Sequence, residues 1–202
     1  MKACRSGSWV STVLLSGVLV VGTFADAAKT SDPAPAKTAP STLAQGYALL
    51  DDLLGDEKNV SKLLLIKRDR PEFKVLVKLI SDKTGKAQKE LEKLAKSDGH
   101  IDLKNQGLPN AELETRKSIS KEKSKALLAE KGDDFELHLL LAQNEALTYG
   151  AHLASTIAKT ETEPKRTQFL QQVSGDLFDL RNKVFSMLRE NYRPTAPAAS
   201  TK

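Results

Sequence analysis

The chain has 202 residues, with 31 Lys or Arg against 26 Asp or Glu and a formal net charge of +5. Its one cysteine excludes an internal disulfide and a metal centre built from several thiolates. Stability must come from a packed core, and the length is sufficient for one.

Lys2 and Arg5 give a positive start, and Val10 to Phe24 is an apolar run broken only by small residues. Ala25-Asp26-Ala27 then has the small-x-small pattern of a signal-peptidase site. Residues 1–27 are therefore predicted to be a secretory signal peptide. The apolar run is short for a membrane span of about 20 residues. The predicted destination is the periplasm or the extracellular space. Cleavage after Ala27 removes Cys4 and Trp9, so the mature chain has no cysteine nucleophile. Residues 28–41 contain only Ala, Pro, Lys, Thr, Ser and Asp, a composition that cannot bury apolar area, and are predicted to form a disordered tether. The tail, residues 193–202, has the same character. The folded domain is predicted over residues 42–192.

Within that domain apolar residues recur at three- and four-residue spacing, the pattern of amphipathic helix. A first helix is predicted from about Thr42 to Lys67, with Leu43, Tyr47, Leu50, Leu54, Leu64 and Leu65 in register and a weak point at Gly55-Asp56-Glu57. Pro71 suits the first turn of a second helix, because that turn has no use for its missing N–H. Phe73, Leu76, Ile80, Thr84, Ala87, Leu91 and Leu94 form its stripe, and Asp98-Gly99 ends it. After a loop, a Lys-rich helix is predicted from about Asn110 to Lys131. Gly132 stops it. Asp133 and Glu136 then offer a capping box for a helix reaching about Lys159. Pro164 opens the last helix, striped by Phe169, Val173, Leu177, Leu180, Val184 and Met187.

Two proline-marked helical hairpins joined by a connection with a helix inside it make an all-α fold. The predicted architecture is an antiparallel four-helix bundle of the ferritin-like kind, whose hairpins are joined by one long crossover containing the extra helix. An up-down bundle of five helices is the alternative.

His138, Glu145 and His152 are each seven residues apart and form a column on the fourth helix. A helical wheel turns this column away from the apolar arc. Neighbours in it are separated by about 10 Å of rise, whereas metal ligands sit about 2 Å from their ion. The column is predicted to be a wet face and to hold no metal. Three polar positions face inward instead: Thr84, Glu136 and Gln143. A buried polar group needs a partner, so these are the candidate core hydrogen-bonding or ligand positions, with Glu136 also assigned to the cap. Gly150 lies on the same arc and is predicted to admit a close neighbouring side chain.

No phosphate-binding loop, dinucleotide fingerprint, zinc-protease motif or nucleophile elbow is present. Ser118-Ile119-Ser120-Lys121 has a Ser-x-x-Lys spacing but lacks its companion motifs. In the basic run, Arg116, Lys117, Lys121, Lys123 and Lys125 are candidates for contact with an anionic surface. Glu122 and Glu130 interrupt that run and no aromatic residue accompanies it, which argues against nucleic acid.

The stretch from Pro71 through Leu103, with Leu108-Pro109 after it, resembles an exported bacterial family of unknown function placed among the ferritin-like four-helix bundles. The segment Asp133-Asp134-Phe135-Glu136 and the proline-led last helix share the resemblance, which covers about Leu53 to Leu188. It implies export and an antiparallel bundle but no established reaction. Members often carry an Asp-His pair in the second helix and an inward histidine in the next hairpin. Lys83-Thr84 and Leu147 stand at those places here. Ferritin-like di-metal centres also need Glu-x-x-His motifs, and this sequence has none.

The sequence thus predicts an exported, non-catalytic bundle without a cofactor that binds an unknown protein or envelope component. A metal- or small-ligand-binding bundle lacking a di-iron centre is the alternative, and peripheral contact with an anionic membrane a third option.

Overall fold

In the computed structural model, which describes residues 41–65, 70–99 and 101–192, five helices carry the fold. They are α1 (Thr42–Asn59), α2 (Pro71–Ser97), α3 (Asn110–Ala129), α4 (Gly132–Thr160) and α5 (Pro164–Tyr192), with a 3-10 segment, Val60–Leu65, after α1. The predicted signal peptide, the tail 193–202 and all of the tether except Ser41 lie outside the described residues, as does His100.

Local chemistry explains the boundaries. Ser41 caps α1, its hydroxyl accepting from the Ala44 N–H at 3.2 Å, which satisfies one of the free donors of the first turn. The helix does not weaken at Gly55-Asp56-Glu57 as the sequence led us to expect. The missing side chain of Gly55 makes room for Gln88 of α2, whose Nε2 lies 2.9 Å from where a Cβ would stand. Gln88 accepts from Lys58 Nζ at 2.6 Å and donates to Asp51, clamping α1 on both sides of the glycine. The α-helix yields to 3-10 geometry only at Val60, where the Lys58 carbonyl accepts from the Ser81 hydroxyl and Asn59 donates to the Gly55 carbonyl.

Gly132, at φ 56°, turns the chain from α3 into α4, a conformation that glycine adopts without steric cost. The predicted capping box does not form. Lys131 occupies the cap position with no side-chain cap bond, and Glu136 is engaged elsewhere. Asp133 and Asp134 still lie in the first turn of α4, where the helix dipole favours them.

Every neighbouring pair of the four long helices is antiparallel. Gly46 meets Ile157 and Gly150 meets Leu53 along α1 and α4. Lys83 pairs with Asp176 along α2 and α5. The order is thus up, down, down, up, and the segment between α2 and α4 travels the length of the bundle with α3 inside it. The core draws on all four long helices, including Tyr47, Leu50 and Leu54, Phe73 and Ile80, Phe135, Leu140 and Leu147, and Leu170, Leu177 and Val184. Phe73 and Phe135 meet edge to face with ring centroids 6.2 Å apart, a favoured aromatic geometry. A Cβ on Gly150 would stand 2.8 Å from Leu53 Cδ2 and 3.0 Å from Leu177 Cδ1, the close approach that its place on the apolar arc anticipated.

Ion pairs fasten the two ends. At one end the Glu161 side chain, fully buried, accepts from the Tyr47 hydroxyl at 2.7 Å and from the backbone of Thr162 and Glu163. Arg166 binds both its oxygens, at 3.0 and 2.9 Å, and also reaches Asp98. At the other end Glu136 accepts from the Arg70 backbone at 2.9 Å and from its guanidinium at 2.6 Å. Arg70 also donates to the Tyr192 hydroxyl, which donates onward to the Asp133 carbonyl.

Arg166 foremost, with the Tyr47 and backbone bonds, holds the Glu161 carboxyl down at about 2 against the burial that raises it. Burial and that carboxylate push the Tyr47 phenol up. A lowered carboxyl pKa means stability that is present above the ordinary value near 4.5 and lost as pH falls toward 2. Replacing Glu161→Gln should therefore cost on the order of 3 kcal/mol at neutral pH and little near pH 2. Urea unfolding of both proteins at the two pH values checks this, and an equal loss at both would refute the charge-based origin.

Candidate ligand groove

α3 differs from the other helices in burying no residue at all. It runs antiparallel to α4 and touches it lightly, through the Lys123–Glu145 pair at 3.5 Å and the contact of Glu130 with His138 at 2.6 Å. The space it leaves against α4 and α1 is a groove of about 820 Å³, within the range of small-molecule sites. Its walls are mainly apolar: Leu53 from α1, Ile119 and Leu127 from α3, and Leu141, Ala142 and Ala146 from α4.

Two buried polar residues also line it, Glu57 of α1 and Gln143 of α4, with 7 % and 4 % of their surface exposed. They come together because α1 and α4 are antiparallel neighbours. Glu57 follows Leu50 and Leu54 at helical spacing, so the register that buries those leucines buries the carboxyl too. Glu57 Oε2 and Gln143 Oε1 have no hydrogen-bond partner. Desolvation raises the Glu57 pKa to about 7, aided by Asp56 and opposed by a bond from Gln143. The other ionisable side chains around the groove have partners of their own. Arg116 bonds Glu112 at 2.8 Å, Lys123 faces Glu145, and His138 faces Glu130. Among the described residues Glu57 has no cationic partner.

The three inward positions expected from sequence are all buried, but the fold separates their roles. Thr84, 1 % exposed, bonds the carbonyls of Ile80 and Ser81 within its own helix and faces no cavity. Glu136 belongs to the Arg70 clasp and caps nothing. Gln143 alone reaches the groove. His138, Glu145 and His152 are exposed as the wheel indicated. His138 and Glu145 nevertheless line the groove beneath α3, so their face is partly covered. His152 packs edge to face on Phe178 at 5.2 Å. No group of three or more potential ligands is placed to hold a metal among the described residues. Arg116, Lys117, Lys121, Lys123 and Lys125 are exposed. Arg116, Lys117 and Lys123 already meet carboxylates.

Glu57 is the residue that sequence reasoning missed. The signal was present, a carboxylate in register with Leu50 and Leu54, but a helix taken to be weak at Gly55 hides it. No family model, curated protein or solved structure matches the chain.

A carboxyl with a raised pKa favours folding while it holds its proton, so its contribution is full below about pH 4.5 and is lost as pH rises through 7. Relative to the protonated state the buried charge costs on the order of 3 kcal/mol above that. Glu57→Gln should thus gain about 1–3 kcal/mol in urea unfolding near pH 8 and almost nothing near pH 4.5. A loss at both pH values would show that the carboxylate is structural.

Proposed function

We propose that the protein is an exported, non-catalytic helical bundle that holds a small amphipathic molecule between α3 and the α1–α4 face. The observation that carries this reading is the pair of buried, unpartnered oxygens of Glu57 and Gln143 on an otherwise apolar groove. Buried polar atoms find partners, and here the partner has to come from the groove: water when it is empty, ligand when it is filled. The up-down-down-up order with one long crossover is consistent with a ferritin-like bundle and so supports the resemblance to the exported family of unknown function. Without Glu-x-x-His motifs, this bundle uses a side groove in place of a di-iron core. Export rests on the pattern of Lys2 to Ala27 alone.

The anionic-surface reading is weaker. Arg116, Lys117 and Lys123 of α3 already meet the carboxylates of Glu112, Glu114 and Glu145.

The mature chain should bind the neutral apolar dye N-phenylnaphthylamine saturably, at about one equivalent. Ala146→Trp, which fills the groove, should abolish the fluorescence gain while leaving the circular dichroism spectrum unchanged. Absence of saturable binding, or equal binding by the filled variant, would overturn the assignment.

A further inference from the structure

The groove's polar atoms specify a head group. With the Glu57 carboxyl ionised, Glu57 Oε2 and Gln143 Oε1 are both acceptors, and a carboxylate beside an amide oxygen calls for a ligand rich in donors. An alcohol supplies one donor, whereas a primary ammonium supplies three and the compensating charge. An anionic head would set like charge against Glu57, with Asp56 adding to it. The cations at the groove, Arg116 and Lys123, have carboxylate neighbours in Glu112 and Glu145, so they do not neutralise Glu57. A buried charge is tolerated when it is paired and hydrogen-bonded, and a bound ammonium provides both.

We infer that the groove is built for an amphiphile with a protonated amine head, its ammonium between Glu57 and Gln143 and its apolar body against Leu53, Leu141, Ile119 and Leu127. This rests on the ligand-binding role of the groove and adds the chemical class. It also gives a reason for a carboxylate in a place where leucine would stabilise the bundle more. An alcohol of equal length, with its single donor, would leave one of the two acceptors unmet, a source of discrimination that apolar walls cannot supply.

The test uses the mature chain at pH 8, above the raised pKa of Glu57, and three probes of equal length: octylammonium, octanol and octanoate. Each is titrated below its aggregation concentration as a competitor for bound N-phenylnaphthylamine. Octylammonium should displace the dye at about tenfold lower concentration than either of the others. Glu57→Gln should reduce that preference to about twofold or less, each probe being compared within the variant against the variant's own measured affinity for the dye. Equal displacement by the three probes, or a preference that survives in Glu57→Gln, would overturn the head-group inference while leaving the groove a binding site. Failure of the wild-type chain to bind dye or any probe would overturn the ligand-binding role as well.

Discussion

The Glu161 carboxylate is the contact on which the arrangement of the helices depends. It lies where α4 hands over to α5 and accepts from Tyr47 of α1, from the backbone of the turn, and from Arg166 of α5. Arg166 in turn reaches Asp98 at the end of α2. Elements from all four long helices are thereby fixed at one end. A buried charge with this many donors is stabilising only in one geometry, because removing any partner leaves it under-compensated. The clasp therefore selects one register for α1 against α4, and that register decides everything buried between them.

The Arg70–Glu136 clasp performs the corresponding task at the other end, joining the start of α2 to α4 and, through Tyr192, to the end of α5. With both ends fixed and α2 and α4 running the same way, the chain between them has to travel the length of the bundle. α3 is the middle of that crossover. Its sequence is too polar to pack closely, with Leu127 half-buried and Ile119 and Leu128 exposed. Partly exposed ion pairs of the kind that hold it are worth about 1 kcal/mol or less each. It is consequently the least anchored helix, and segments with few buried contacts open at low free energy. A cover of this kind gives a ligand a way into an otherwise closed face.

The groove and the core obey opposite rules. In the core Thr84 is matched by its own helix, Ser174 by the Ala151 carbonyl, and Gln88 by Lys58 and Asp51. At the groove Glu57 and Gln143 are left with unmatched oxygens. That is why the groove, and not the exposed histidine column or the basic face of α3, carries the functional reading.

The sequence by itself determined the five helices, their apolar stripes and most of their ends, because 3.6-residue periodicity and proline, serine and glycine chemistry act within a few residues. Pro71 and Pro164 begin helices where expected, and Gly150 takes the close contact that its place on the wheel required. It also determined that Thr84, Glu136 and Gln143 turn inward. What it did not determine was what each of them meets. The partner of Glu136 is Arg70, 66 residues away, so the local cap lost to a long-range ion pair. Continuity through Gly55 depended on Gln88 of another helix, and with it the burial of Glu57. The groove exists only because α3 is stretched along a crossover whose path is set by the clasps at the two ends. These are consequences of register between distant segments, and periodicity along one helix carries no information about register with another.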